Sequence, residues 1–434
     1  MRSISSLSPY IVVLPFIGLI AFFLDSSFLA FRNFVPFYEE DVNNLYSINS
    51  IICVITAIGI LYILFRGTED KAKGLRGASI MKYIFFGSQS IIVAFIIITL
   101  LELRMEGTYS FVNIVIIFSL SYGIALYYIA LLAKKFFAWF IISREIIVLS
   151  YAITMCIFVI FLITSILYAA NQLSTNIYPI MASGNIGNQV TSSSPLPSVY
   201  DSYFYYTYFL TFVSVYLITL LSLRSHLKKI RAVIFYLLFS IPLIYFLLKS
   251  VPFLTDYVAS LVLYSPTYYG TLYTLLFSGT GPLGGILFTL VLIAISIKMD
   301  NKSIRNYLAI SALGMLLFFT VNQNPPLQHS LVPPFGIISK SFIGLACYMI
   351  FVGIYSSISL LSHRNTITNV VMKELSRDKL FGSVIRSEQE MQLRKLIDKN
   401  INRIEAYQKN EPRDLSKDEI VELVSMVKKE MSGH

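Results

Sequence analysis

Long apolar runs without a charge recur along most of this chain, and they limit its fold more than any other feature. Most of the runs approach or exceed the roughly 20 residues that a helix needs to cross a bilayer. The charged fraction is only 13%, against about 25% in an average soluble domain. The sequence therefore predicts an all-α, polytopic transmembrane helix bundle whose first partner is the lipid bilayer.

Ten of these runs are clear candidates for spans, and one further segment is disputed. In chain order the candidates are 9–31, 45–65, 80–103, 110–133, 146–170, 203–223, 232–250, 282–298, 304–321 and 335–361. The disputed segment, about 256–278, carries no Lys, Arg or Glu and is broken by Pro266 and Gly270. It is either a re-entrant element, which leaves ten spans, or an eleventh span, because broken backbone lies at membrane depth only when it packs in protein or lines water.

Loop charges predict the orientation, because short cytoplasmic loops carry an excess of Lys and Arg. The loops after the second, fourth and sixth candidate spans are basic, whereas the intervening loops are acidic or uncharged. If the disputed segment is re-entrant, the basic loop "IKMDNKSIR" and the charged C-terminal tail also lie inside. This assignment satisfies the rule throughout, so we expect a multi-pass protein of the cell membrane with both termini in the cytoplasm.

The composition changes near His363, which divides the chain into a transmembrane helical domain (1–362) and a charged helical tail (363–434). Apolar residues recur in the tail at helical spacing. The final stretch "LSKDEIVELVSMVKKEM" begins with a capping box and presents one apolar face. Short amphipathic helices bury little surface alone. We therefore expect residues 365–434 to bind a cytosolic protein, to self-associate or to lie on the inner membrane surface.

Five residues are candidates for a ligand-binding site. Asp25 and Lys340 are ionisable residues within predicted spans, where such residues are energetically costly and mark functional sites. Tyr268, Tyr269 and Tyr273 lie in an uncharged stretch on the expected outer face, where aromatic rings suit a vestibule for a small neutral or cationic solute. The alternatives are that Lys340 snorkels to the interface and that the tyrosines form an interfacial belt.

Other chemistry has less support in the sequence. The cysteines Cys53, Cys156 and Cys347 each lie in an apolar run without metal-ligand spacing, so we expect no metal, no cofactor and no catalytic residue. The acidic cluster 39–41, in the first predicted outer loop, resembles the metal-binding carboxylates of lipid-dependent membrane glycosyltransferases, but no second acidic motif accompanies it. The net charge of +10 belongs mainly to the membrane loops, and it predicts topology rather than a nucleic-acid partner.

Blocks of the C-terminal half resemble an uncharacterised family of archaeal multi-span membrane proteins. The blocks are "GTLYTLLFSGTGPLGGILF", "IRNYLAISALGMLLFFTVNQ", "PPFGIISKSFIGLACYMIFVGIYSSISLLS" and "SEQEMQLRKLI". They extend over about Arg224 to Asp398, and Lys340 departs from the small or apolar residue expected at its position. The resemblance implies a cell-membrane location, and it implies no activity and no catalytic residues.

Three classes of function fit the sequence. The first is a receptor or scaffold, with a solute vestibule on the outer face and a tail that docks a partner. The second is a small-solute transporter or channel, because transport sites are often built from discontinuous helices near the midplane. The third, a lipid-dependent glycosyltransferase-like enzyme, rests on the acidic cluster alone, so the sequence favours a protein that is not an enzyme.

Overall fold

The structure is a computed structural model, and it describes most of the predicted membrane domain. The described ranges are 17–25, 39–69, 76–106, 110–183, 199–226, 232–248, 279–297, 302–322 and 336–363. Single residues between 257 and 277 and between 384 and 391 are also described. All regular structure in these residues is helical.

The structure describes eleven helical segments along the chain. In order they are α1 (17–25), α2 (Glu39–Glu69), α3 (Arg76–Glu106), α4 (Phe111–Ser143), α5 (Ile146–Ser183), α6 (Val199–His226), α7 (Ala232–Leu248), α8 (Leu283–Ile297), α9 (Lys302–Val321), α10 (Ile337–Ser341) and α11 (Ile343–His363). The acidic residues Glu39 and Glu40 thus begin α2, although the sequence suggested that they lie in a loop.

Seven stretches of helix in the described chain are long and apolar enough to cross a membrane, and α7 and α8 are apolar but shorter. Large apolar side chains also cover the outside of the bundle. Tyr83 is 65% exposed, Ile84 63% and Leu237 65%, as expected where lipid rather than water contacts the protein. The all-α membrane fold is therefore confirmed, while the count of ten or eleven spans stays a prediction.

The last span is the centre of the bundle. In the most apolar part of Ile337–Leu360, 94% of the residues are buried, against 67% or fewer in each of the other long helices. Close contact between α9 and α11 depends on glycine. A Cβ atom at Gly353 would lie 2.5 Å from the Tyr307 carbonyl oxygen and 2.5 Å from Ser311 Cβ. Small residues at such interfaces let helix backbones approach closely in membranes.

The end of α7 and the residues just before α8 contact neighbouring positions in the middle of α6. Phe246, near the end of α7, stacks on Phe212 of α6 with ring centroids 3.7 Å apart. Tyr208, about one turn earlier in α6, donates a hydrogen bond of 3.1 Å to the carbonyl of Gly281, just before α8. The disputed segment therefore joins two helix ends that contact α6 within about one turn of each other.

The opposite end of the bundle carries the described part of the tail. Phe136 of α4 stacks on Tyr151 of α5, and the Tyr151 hydroxyl hydrogen-bonds to Ser222 near the end of α6. At this end the Trp139 indole N–H donates a hydrogen bond of 2.7 Å to Oε2 of Glu388. The helices that the sequence predicts further along the tail lie outside the described residues.

Candidate functional site

The last span is interrupted between α10 and α11. The Phe342 amide donates to the Ser339 carbonyl at 3.1 Å, a short-range bond that tightens the turn. Helical bonding resumes with the Ala346 amide, which donates to Phe342 at 3.0 Å. The break has no proline, and it exposes backbone groups inside the bundle that need partners from other helices.

Ser121 of α4 supplies those partners with one hydroxyl. Its Oγ lies 2.7 Å from the Ser341 carbonyl oxygen and 3.2 Å from that of Lys340, and it donates to this pair. The same Oγ accepts a hydrogen bond of 3.2 Å from the Gly344 amide. A single side chain therefore joins the backbone on both sides of the break.

Asp25 of α1 binds the beginning of α10. Its Oδ2 accepts a hydrogen bond of 2.8 Å from the Ser339 amide, and the side chain is fully buried at 0% exposure. The first amides of a helix have no partner within it, and a carboxylate satisfies them. Gly336 precedes α10 with φ of 84°, a left-handed conformation that glycine adopts without strain. Within the described chain, Oδ1 of Asp25 has no hydrogen bond.

Lys340 binds the end of a different helix. Its Nζ donates a hydrogen bond of 2.8 Å to the carbonyl of Val321, the last residue of α9. The final carbonyls of a helix lack donors within it and attract cations. Lys340 is only 6% exposed. Its ammonium group therefore ends at a protein carbonyl inside the bundle, and snorkelling to the membrane surface does not describe it.

The two opposite charges also act on each other. An electrostatic attraction links Asp25 and Lys340, while each makes its hydrogen bond to a different helix end. Ionisable groups at membrane depth are costly unless they are paired or hydrogen-bonded. This arrangement gives both charges partners, and it ties α1, α9 and α10 together at one place.

Polar groups and a small space adjoin the break. Gln89 of α3 is fully buried, and neither of its amide atoms has a hydrogen-bond partner in the part of the chain that the structure describes. Its Nε2 lies 3.3 Å from the point where a Cβ at Gly344 would stand. A cavity of about 10 Å³ is lined by Ile114, Ile117, Phe118, Ile337, Lys340 and Ser341. That is enough for about one water molecule.

The two described tyrosine candidates have a different environment. Tyr268 is 66% exposed and contacts the ring of Tyr269, with centroids 5.1 Å apart. Tyr273 lies outside the described residues. None of the described contacts joins Tyr268 or Tyr269 to Asp25. The structure thus brings two of the five predicted residues together, Asp25 and Lys340, and adds Ser121 and Gln89, which the sequence did not select.

The chain matches no protein-family model, no curated protein and no solved structure. The resemblance to an archaeal membrane family therefore stays an expectation. Among the described residues, no group of three or more His, Cys, Asp or Glu side chains is placed to hold a metal ion. What the molecule does has to be argued from the break in the last span.

Proposed function

We propose that the protein is a membrane carrier for a small solute, built around the break in its last span. The observation that carries the proposal is the pair of buried charges at the break, where Asp25 binds the start of α10 and Lys340 binds the end of α9. In transporters, broken helices place helix ends and freed backbone groups near the midplane, where these groups bind solutes and ions. Replacing a buried ion pair by apolar residues is often neutral or stabilising, so stability alone does not account for these two charges.

The partners of the break suit a site that opens and closes. Ser121 of α4 and Asp25 of α1 bind backbone groups at the break, and Lys340 of α10 binds the end of α9, each through individual hydrogen bonds. Water or a solute can replace each of these bonds when the helices separate. Alternating access requires such an element with two arrangements, and we assign that role to α10 with the first turn of α11.

The topology belongs to the same proposal. We place both termini in the cytoplasm and read the disputed segment as re-entrant, with ten spans. The common level of the α7 and α8 ends supports this assignment, because a single crossing between them would place those ends on opposite sides. The receptor or scaffold alternative rests on outer loops and a distal tail that lie outside the described residues, so it stays a prediction.

The experiment begins with binding, because the solute is unknown. Purified protein in nanodiscs is screened for thermal stabilisation by neutral amino acids, sugars, choline and small carboxylates. Solutes that stabilise it are then tested by radiolabelled counterflow in proteoliposomes. We expect at least one solute to exchange in wild-type protein and exchange to fall at least tenfold in Asp25→Asn and Lys340→Met.

The matched control is Ser90→Ala, which removes an exposed hydroxyl that bonds only to its own helix, at the Phe86 carbonyl. This variant should exchange the solute as wild type does. Circular dichroism and size exclusion establish that each variant is folded. If Asp25→Asn and Lys340→Met are folded and exchange the solute at the wild-type rate, the break is not the transport site.

A further inference from the structure

We propose that the end of the bundle around Trp139 is a docking surface for an acidic amphipathic helix, and that its occupant is the protein's own tail segment 384–391. This tail-docking surface consists of Trp139 and Lys135 of α4 and Tyr355 of α11. The segment is held there reversibly, through the carboxylate of Glu388. Docking is a property of the protein alone, whereas its effect on α11 rests on the function proposed above.

The described tail residues lie on one face of a helix. Val384, Ser387, Glu388 and Met391 are all helical, at the spacing of residues that share a helix face. Val384 and Ser387 are each 1% exposed, and Glu388 is 7% exposed. Met391 packs against the core of the bundle. The face that these residues form is therefore buried on the protein, although this part of the chain is otherwise highly charged.

Glu388 is the residue that gives the contact its specificity. The Trp139 indole N–H, which is a donor only, donates to Oε2 of Glu388 at 2.7 Å. A buried carboxylate needs such a donor, since leaving it without one is costly. Glu388 also interacts electrostatically with Tyr355 of α11. The acid therefore contacts one helix by a hydrogen bond and acts on a second one.

The surface is also suited in charge to an acidic segment. The Lys135 ammonium lies 5.2 Å from the centre of the Tyr355 ring, over its face, so a cation stands beside the tyrosine that interacts with Glu388. A carboxylate on the docking helix is attracted to this place, and a basic residue at the same position would be repelled. The partner that this surface fits is a helix with one acidic residue, and with apolar residues four positions before it and three positions after it.

The contact is small enough to be released. Short isolated helices are marginal in water, so the helical conformation of the four described tail residues depends on the surface. Tyr355 lies in α11, beyond the break that holds Lys340. Docking therefore restrains the end of the interrupted helix, and undocking frees it. If the carrier proposal holds, occupancy of the tail-docking surface regulates movement at the break.

Fluorescence of the protein's one tryptophan tests docking without any solute. The full-length protein in nanodiscs is compared with Glu388→Ala, Glu388→Gln and Glu390→Gln. Glu390→Gln is the matched control, because it removes one negative charge from the same part of the tail and leaves the carboxylate that Trp139 contacts in place. We expect Glu388→Ala to shift Trp139 emission to longer wavelength and to raise acrylamide quenching at least twofold. Glu388→Gln keeps an acceptor oxygen, so its emission and quenching should lie between those of wild type and Glu388→Ala. Glu390→Gln should match wild type.

Reversibility is measured on the wild-type protein by the same signal. In a denaturant titration, we expect Trp139 emission to change before the helical circular dichroism of the bundle. The proposal is overturned if Glu388→Ala and Glu390→Gln both match wild type. It is equally overturned if emission and helicity change together, because docking would then be part of the global fold. Neither readout depends on transport, so failure of docking and failure of the carrier proposal are distinguishable.

Discussion

The amide of Ser339 and the carboxylate of Asp25 form a hydrogen bond of 2.8 Å between residues 314 positions apart in the chain. The next residue, Lys340, sends its ammonium group to the end of α9. Successive residues of α10 thus contact a carboxylate from the first described helix and a carbonyl from the penultimate span. A short stretch of broken helix therefore connects the beginning and the end of the bundle.

We predict that Asp25 and Lys340 are energetically coupled. Asp25→Ala and Lys340→Met should each lower the free energy of unfolding by about 3–5 kcal/mol, because each leaves buried polar groups without partners. The double neutral variant Asp25→Ala/Lys340→Met should lose less than the sum of the two single changes. Denaturant unfolding in mixed micelles measures all three. Strictly additive losses would show that the two charges do not act on each other.

The charge-exchanged variant provides a sharper comparison. Lysine at position 25 cannot accept a hydrogen bond from the Ser339 amide, and an aspartate carboxylate at position 340 cannot donate one to the Val321 carbonyl. We therefore expect Asp25→Lys/Lys340→Asp to be less stable than the double neutral variant, even though it preserves the opposite charges. If the charge-exchanged variant is instead as stable as wild type, charge alone, and not hydrogen bonding to helix ends, decides the arrangement.

We predict that the Ser121 hydroxyl stabilises the break. Ser121→Ala removes the donor to the Ser341 carbonyl and the acceptor for the Gly344 amide, and leaving such buried groups unsatisfied costs about 1–3 kcal/mol. Ser90→Ala is the control and should change stability by less than about 0.5 kcal/mol. Thermal unfolding in nanodiscs compares them. Equal stability of the two variants would indicate that water replaces the hydroxyl.

We predict that glycine at position 353 is required for the contact between α9 and α11. A Cβ there would stand 2.5 Å from both the Tyr307 carbonyl oxygen and Ser311 Cβ, so Gly353→Ala forces the helices apart and should cost about 1–3 kcal/mol or more. Gly123→Ala is the control, because nothing lies within 4 Å of its Cβ position. That change should be neutral, or stabilising by up to about 1 kcal/mol. Similar unfolding temperatures for the two variants would contradict the packing.

The sequence predicted the charged members of the site but not the break that joins them. Asp25 and Lys340 are visible because a charge inside an apolar run is rare and costly. Ser121 and Gly344 are ordinary residues of a membrane helix, and "SKSFIG" contains no proline to mark an interruption. The hydroxyl acts only because the fold brings α4 against residues more than two hundred positions away. Such a long-range contact has no signal in a single sequence.

The tail contact was missed for a related reason. In the sequence, Trp139 stands beyond the end of the fourth candidate span, and Glu388 is one of many acids in a charged segment. The apolar periodicity of the tail did indicate that it binds something. Which surface it contacts depends on where α4 ends in space, and that follows from the packing of the whole bundle.

We predict that the disputed segment begins and ends on one side of the membrane. Tyr257, at the beginning of the segment, is 55% exposed, and Pro282, just after it, is partly buried. Each is replaced by cysteine in a cysteine-free background. Both should react with an impermeant maleimide from the same side as a cysteine at Glu106. A cysteine at Glu145, in the turn between α4 and α5, should react only after permeabilisation. If positions 257 and 282 react from opposite sides, the segment is an eleventh span. The tail would then lie outside the cell, and no cytoplasmic partner could reach it.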